Sequence, residues 1–166
     1  YMSIGVNYTK MGQYEDADAF YQKAFDVFQE SSDPGSQDFN RIYSNWGYNF
    51  RKMGNFDRAI EYGKKALEIK LLHYAPDHPG VAKYHGNLGK AYLGKGEPET
   101  ALPYFQKSLE IYIGAYGADH PNLGGSYAEL GGAYADLKQY NRALELYEKG
   151  NAIQAETMDP THPYAV

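Results

Sequence analysis

The sequence repeats itself every 42 residues, and no insertion breaks the register. Gly5, Gly47, Gly89 and Gly131 align. Each follows a large apolar residue (Ile4, Trp46, Leu88 and Leu130), and each is followed three places on by a ring (Tyr8, Phe50, Tyr92 and Tyr134). Ala17, Ala59, Ala101 and Ala143 come next, then the small residues Ala24, Ala66, Ser108 and Gly150, then Val27, Ile69, Ile111 and Ile153. A unit of this size is one supersecondary element that cannot bury its apolar face alone, so neighbouring units must stack.

Each unit reads as two antiparallel helices. Leu88, Gly89 and Tyr92 carry helical spacing in the first, and Tyr140, Ala143, Leu144, Tyr147 and Ile153 carry it in the second. Small residues facing large ones let two helices approach to about 8–10 Å. Gly12, Gly54 and Gly96 mark the turn between the helices, where glycine tolerates the left-handed conformation. The fourth unit has Lys138 there, which predicts a turn that differs in detail. Asp77-His78-Pro79, Asp119-His120-Pro121 and Thr161-His162-Pro163 link the units. Proline suits a first helical position, and the residue ahead of it can cap. The first link, Ser31 to Ser36, departs from this form and reads as looser.

Leu88-Gly89-x-x-Tyr92, Ala101, Phe105 and Ser108, with their equivalents in the other units, resemble the tetratricopeptide repeat in its 42-residue form, the form of kinesin light chains and related scaffold proteins. The resemblance spans essentially the whole chain. It implies an all-α fold: a tetratricopeptide α-solenoid, a right-handed superhelix of four antiparallel helix pairs. The repeats are expected at 1–35, 36–77, 78–119 and 120–161, with a stub of a next helix at 162–166. Pro103, odd inside a helix, has a counterpart in kinesin-light-chain-type repeats and is expected in the first helical turns. No heptad coiled coil accompanies the repeats. The ends lack the polar caps of a solenoid, so flanking repeats or end-to-end contacts are expected.

The net charge of −5 argues against a general nucleic-acid binder. No apolar run is long enough for a membrane span, and no signal peptide opens the chain, so a cytoplasmic protein is expected. The absence of cysteine removes disulfides, thiolate nucleophiles and Cys-ligated zinc. His78, His120 and His162 look like a metal triplet. Their repeat spacing separates them by about 16–20 Å, whereas zinc holds ligands at about 2 Å. His73 and His85 read as isolated surface or groove residues. Gly86-Asn87-Leu88-Gly89-Lys90 lacks the Ser or Thr and the spacing of a phosphate loop. Asn7-Tyr8-Thr9 is a sequon inside a helix, and carboxylates such as Glu15, Asp16, Glu97 and Glu99 suit helix starts. No nucleophile–base pair emerges, so neither an enzyme nor a cofactor or metal is expected.

A polar stripe remains on the first helix of each unit, at six and two residues before the repeat glycine and one and five after it. It holds Arg41, Asn45, Tyr48 and Lys52 in the second unit, with Arg51 beside it, and Lys83, Asn87, Lys90 and Gly94 in the third. The first unit contributes Ser3, Val6 and Lys10, and the fourth Gly125, Glu129, Gly132 and Asp136. The family resemblance implies that this stripe lines a concave peptide groove. Arg41/Asn45 and Lys83/Asn87 match the pairs with which co-chaperone repeats hold a peptide's C-terminal carboxylate. Two donors one turn apart can share one carboxylate through charge-assisted bonds. The clamp position at the repeat glycine itself carries no side chain here. The same stripe also reads as a solvated polar face, or as an Asn ladder holding peptide backbone, as in kinesin light chains.

The expected function is therefore a non-catalytic peptide- or protein-binding scaffold for an extended acidic linear motif or C-terminal carboxylate. The groove residues are Arg41, Asn45, Tyr48, Arg51, Lys52, Lys83, Asn87 and Lys90. The alternatives are an assembly module that self-associates end to end, or an appendage to a catalytic or signalling domain outside this sequence.

Overall fold

The computed structural model describes residues 1–121 and 123–157. They form eight α-helices in the order α1 (Met2–Lys10), α2 (Tyr14–Ser31), α3 (Gln37–Lys52), α4 (Phe56–His73), α5 (Pro79–Gly94), α6 (Pro98–Tyr116), α7 (Leu123–Asp136) and α8 (Tyr140–Thr157). Each odd-numbered helix packs on the one that follows it. The chain divides into two compact units, an N-terminal one of residues 1–76 and a C-terminal one from Asp77 on.

The pairing follows from the repeat. Cβ atoms built at Gly5, Gly89 and Gly131 would lie 3.0, 2.7 and 3.1 Å from the rings of Tyr21, Phe105 and Tyr147. These rings lie flat on bare backbone, which is why the position is glycine. The second repeat departs, because Gly63 stands where the others carry a ring. A Cβ at Gly47 meets only ordinary contacts at 3.4 Å. In this repeat Trp46 packs against Tyr62, with ring centroids 4.8 Å apart. A second ring contact recurs almost unchanged: Tyr8–Phe20, Phe50–Tyr62 and Tyr92–Tyr104 each have centroids 5.3 Å apart.

The second link is capped as its residues suggest, whereas Pro121 of the third precedes α7, which begins at Leu123. Pro79 opens α5, and the Nδ1 of His78 accepts from the Gly80 N–H at 3.0 Å. The first link is tied down rather than loose. Asp33 accepts from the Gly35 N–H at 2.8 Å, and the His73 Nε2 lies 2.7 Å from the Gly35 carbonyl, so His73 is not isolated. Pro103 sits in the second turn of α6. Thr161, His162 and Pro163 lie outside the described residues.

Two further expectations are corrected. The turn at Lys138 does not differ: its φ of 59° matches the 77°, 77° and 83° of Gly12, Gly54 and Gly96. The backbone bonds also recur, from Lys138 to Ala135 and from Gln139 to Tyr134. The repeat geometry forces a lysine into a conformation that costs a non-glycine residue about 1–2 kcal/mol. The second correction concerns Tyr140 and Leu144, expected at packing positions but 64% and 57% exposed. Among the described residues, α8 packs against α7 alone, so its other side is open. For the same reason Ile4 is exposed on the short α1, whereas Trp46, Leu88 and Leu130 are buried.

Candidate functional site

The C-terminal unit holds a cleft of about 470 Å³ lined by α5, α6 and α7. Lys83, Asn87 and Lys90 enter it from α5, because spacings of four and three residues place them on one helix face. Ser108, Tyr112 and Tyr116 enter from α6 at steps of four, and Gly125, Ser126 and Glu129 from α7. The cleft is open where Gly80, Gly86 and Gly125 supply no side chain. A Cβ at Gly86 would stand 3.4 Å from the Ser108 Oγ and 3.6 Å from the Glu129 Oε2.

The charges are mixed. Lys90 Nζ lies 2.6 Å from Glu129 Oε1, which joins α5 to α7 and neutralises part of the basic stripe. Lys83 is exposed, with its ammonium 5.1 Å from the Tyr84 ring. Tyr112 and Tyr116 stack with centroids 6.0 Å apart, and His120 stacks on Tyr116 at 4.7 Å. Burial pushes the Tyr112 hydroxyl above the usual tyrosine range, and the neighbouring Tyr116 and Glu129 add to the shift. At neutral pH Tyr112 is therefore an uncharged donor facing the cleft.

The other stripe residues lie on α3 of the N-terminal unit. Arg41 is exposed, 3.9 Å from Asp38. Asn45 is half-buried. The Tyr48 ring has two cations near it, Arg51 at 5.1 Å and Lys52 at 5.7 Å from its centroid. Sequence reasoning missed Ser108, Tyr112 and Tyr116 because it followed only the first helix of each unit, and Ser126 because it lies one place off the stripe on α7. A signal was present: Tyr116 repeats Tyr74, and Tyr112 lies one turn before it. Among the described residues, no group of three or more His, Asp or Glu side chains is placed to hold a metal.

The sequence profile of the tetratricopeptide repeat matches residues 38–113 and 92–156, and a second profile of the same description matches 1–30. The chain belongs to the tetratricopeptide repeat family, whose members are generally protein-interaction scaffolds, and its fold is an all-α tetratricopeptide solenoid. Among solved structures it resembles the nearly identical TPR-like repeats of a Podosopora anserina protein assigned as a kinesin light chain, with TM-score 0.81 and 21% identity over 99% of this chain and 78% of that one. It also resembles BtubC (BKLC) from P. vanneervenii, with TM-score 0.87 and 23% identity over 98% and 65% of the two chains. Aspartyl phosphate phosphatase F from Bacillus subtilis matches with TM-score 0.79 and 19% identity, over 96% of this chain and 40% of that one. At these identities the likeness is one of fold. No sequence among the curated proteins matches. No helix among the described residues is long and apolar enough to cross a membrane.

Proposed function

We propose that this chain is a non-catalytic, cytoplasmic module that binds an extended acidic linear motif or a C-terminal carboxylate. The observation that carries this reading is the pairing of exposed Lys83 with half-buried Asn87, one helical turn apart on the lining of the C-terminal cleft. A cation and an amide so spaced can share one carboxylate, and the ammonium would steer an anionic ligand toward it. Arg41 and Asn45 offer an anchor of the same kind on α3. The four repeats are read as one array over 1–161, acting without cofactor and without nucleic acid or membrane as partner. The test is a titration of labelled acidic peptides against the whole chain. Lys83→Glu is expected to weaken binding about tenfold, and added salt to weaken it further. Binding indifferent to Lys83→Glu, Arg41→Glu and salt would sink the reading.

A second reading, self-association through the ends, is favoured by the exposed Tyr140, Leu144 and Tyr147 of α8 and Tyr1 and Ile4 near α1. Sedimentation at several concentrations separates the two, because a monomer throughout counts against assembly. In either case the module could serve a catalytic or signalling domain elsewhere in its protein.

A further inference from the structure

Along the first helices, Asn45, Asn87 and Glu129 occupy equivalent positions, so Glu129 replaces an amide of the ladder with a carboxylate. That carboxylate is engaged. Its Oε1 lies 2.6 Å from Lys90 Nζ, and its Oε2 stands 3.6 Å from the point a Gly86 Cβ would occupy, beside the α5 backbone. Both side chains remain about one-third exposed, at 37% for Lys90 and 31% for Glu129, and both line the cleft. Glu129 therefore stands where a ligand carboxylate would meet Lys90.

We infer that Glu129 is a specificity residue, a resident carboxylate that reserves Lys90 and denies tandem acids the added affinity that a second cation would give. The inference rests on the peptide-binding reading and sharpens it. Lys83 with Asn87 takes one carboxylate. A second acidic residue reaching for Lys90 must displace Glu129, leaving one carboxylate without its cation and two like charges side by side. Juxtaposed like charges oppose binding. Removing the Glu129 charge frees Lys90 and lifts the penalty.

The experiment compares two end-blocked peptides of equal length, one with a single Asp and one with two adjacent Asp, titrated against the whole chain. The wild type is expected to bind both within about twofold, and Glu129→Gln to bind the two-Asp peptide about fivefold tighter, as one partly exposed ion pair allows. Its affinity for the single-Asp peptide should stay within about twofold. Glu129→Asn, which restores the ladder amide, should act like Glu129→Gln. In a Lys90→Met background the gain should vanish. An unchanged preference in both Glu129 variants, or a gain that survives Lys90→Met, overturns the inference. If single-Asp binding is indifferent to Lys83→Glu, Arg41→Glu and salt, the peptide-binding reading itself fails, and this inference fails with it.

Discussion

The two units solve one packing problem with different chemistry. In the N-terminal unit, buried polar groups join the helices. The Thr9 hydroxyl lies 2.8 Å from Asn49 Oδ1 and 3.1 Å from the Tyr21 hydroxyl, while Asn49 Nδ2 donates to the Tyr14 carbonyl at 2.9 Å. Asn40 donates to the Ala66 carbonyl at 2.6 Å, and the Trp46 indole to Asp18 at 2.5 Å. The equivalents of Asn40, Trp46 and Asn49 in the third repeat are Ala82, Leu88 and Ala91, which can make none of these bonds. The C-terminal unit packs by close approach to bare backbone, a device the N-terminal unit shares at Gly5 beneath Tyr21. Phe105 covers Gly89, Tyr147 covers Gly131, and a Cβ at Gly150 would stand 2.9 Å from the Gly124 carbonyl. A separate set of glycines, Gly80, Gly86 and Gly125, lines the cleft of that unit. Where α5 has Gly80 and Gly86, α3 carries Asp38 and Ser44.

The largest test exchanges glycine for alanine at equivalent positions. Gly89→Ala drives a methyl to 2.7 Å from the Phe105 ring and is expected to cost about 2–3 kcal/mol, as overpacking does. Gly47→Ala finds ordinary contacts and should be neutral or stabilising by up to about 1 kcal/mol through helix propensity. Urea denaturation of both variants measures the contrast, and equal losses would break it. Next in size is Asn49→Ala, which strips a bond from buried Thr9 and from the Tyr14 carbonyl. It should cost about 2 kcal/mol by the same measurement, with a loss under about 0.5 kcal/mol showing the polar lock to be idle.

The smallest effect concerns pH. His85 is the histidine counterpart of Tyr43 and Tyr127, set against Tyr104 with ring centroids 6.1 Å apart. Burial, aided by Lys107, holds its pKa below the usual histidine value of 6.5. The unfolded chain therefore takes up the proton more readily than the folded one. Stability is full above pH 6.5 and declines as pH falls from there toward the folded-state pKa. Thermal midpoints at pH 7.5 and 5.5 should differ less for His85→Tyr, which copies the neighbouring repeats, than for the wild type. An unchanged difference would show that His85 contributes nothing to it.

Much of the fold was legible in the residues. The period, the helix pairs and the small–large packing positions follow from sterics that act within one unit and recur in the next. Lys138 shows where residue-by-residue reasoning stops: local preference argues against a left-handed lysine, but the repeated turn geometry outweighs a cost of about 1–2 kcal/mol. Tyr140 shows the reverse, because a repeat position becomes core only if another helix covers it. The candidate site was legible on one helix only. Periodicity aligned Lys83, Asn87 and Lys90 because a single helix face is a matter of spacing. That Tyr112 and Tyr116 join them, and that Glu129 reaches across to take Lys90, depends on the approach of three helices. The sequence by itself determined the repeat, the helices and their contact positions, which are short-range consequences of residue size and backbone freedom. Only the tertiary structure decided which charges in the cleft remain for a ligand, because ion pairing depends on distances between helices that no single repeat encodes.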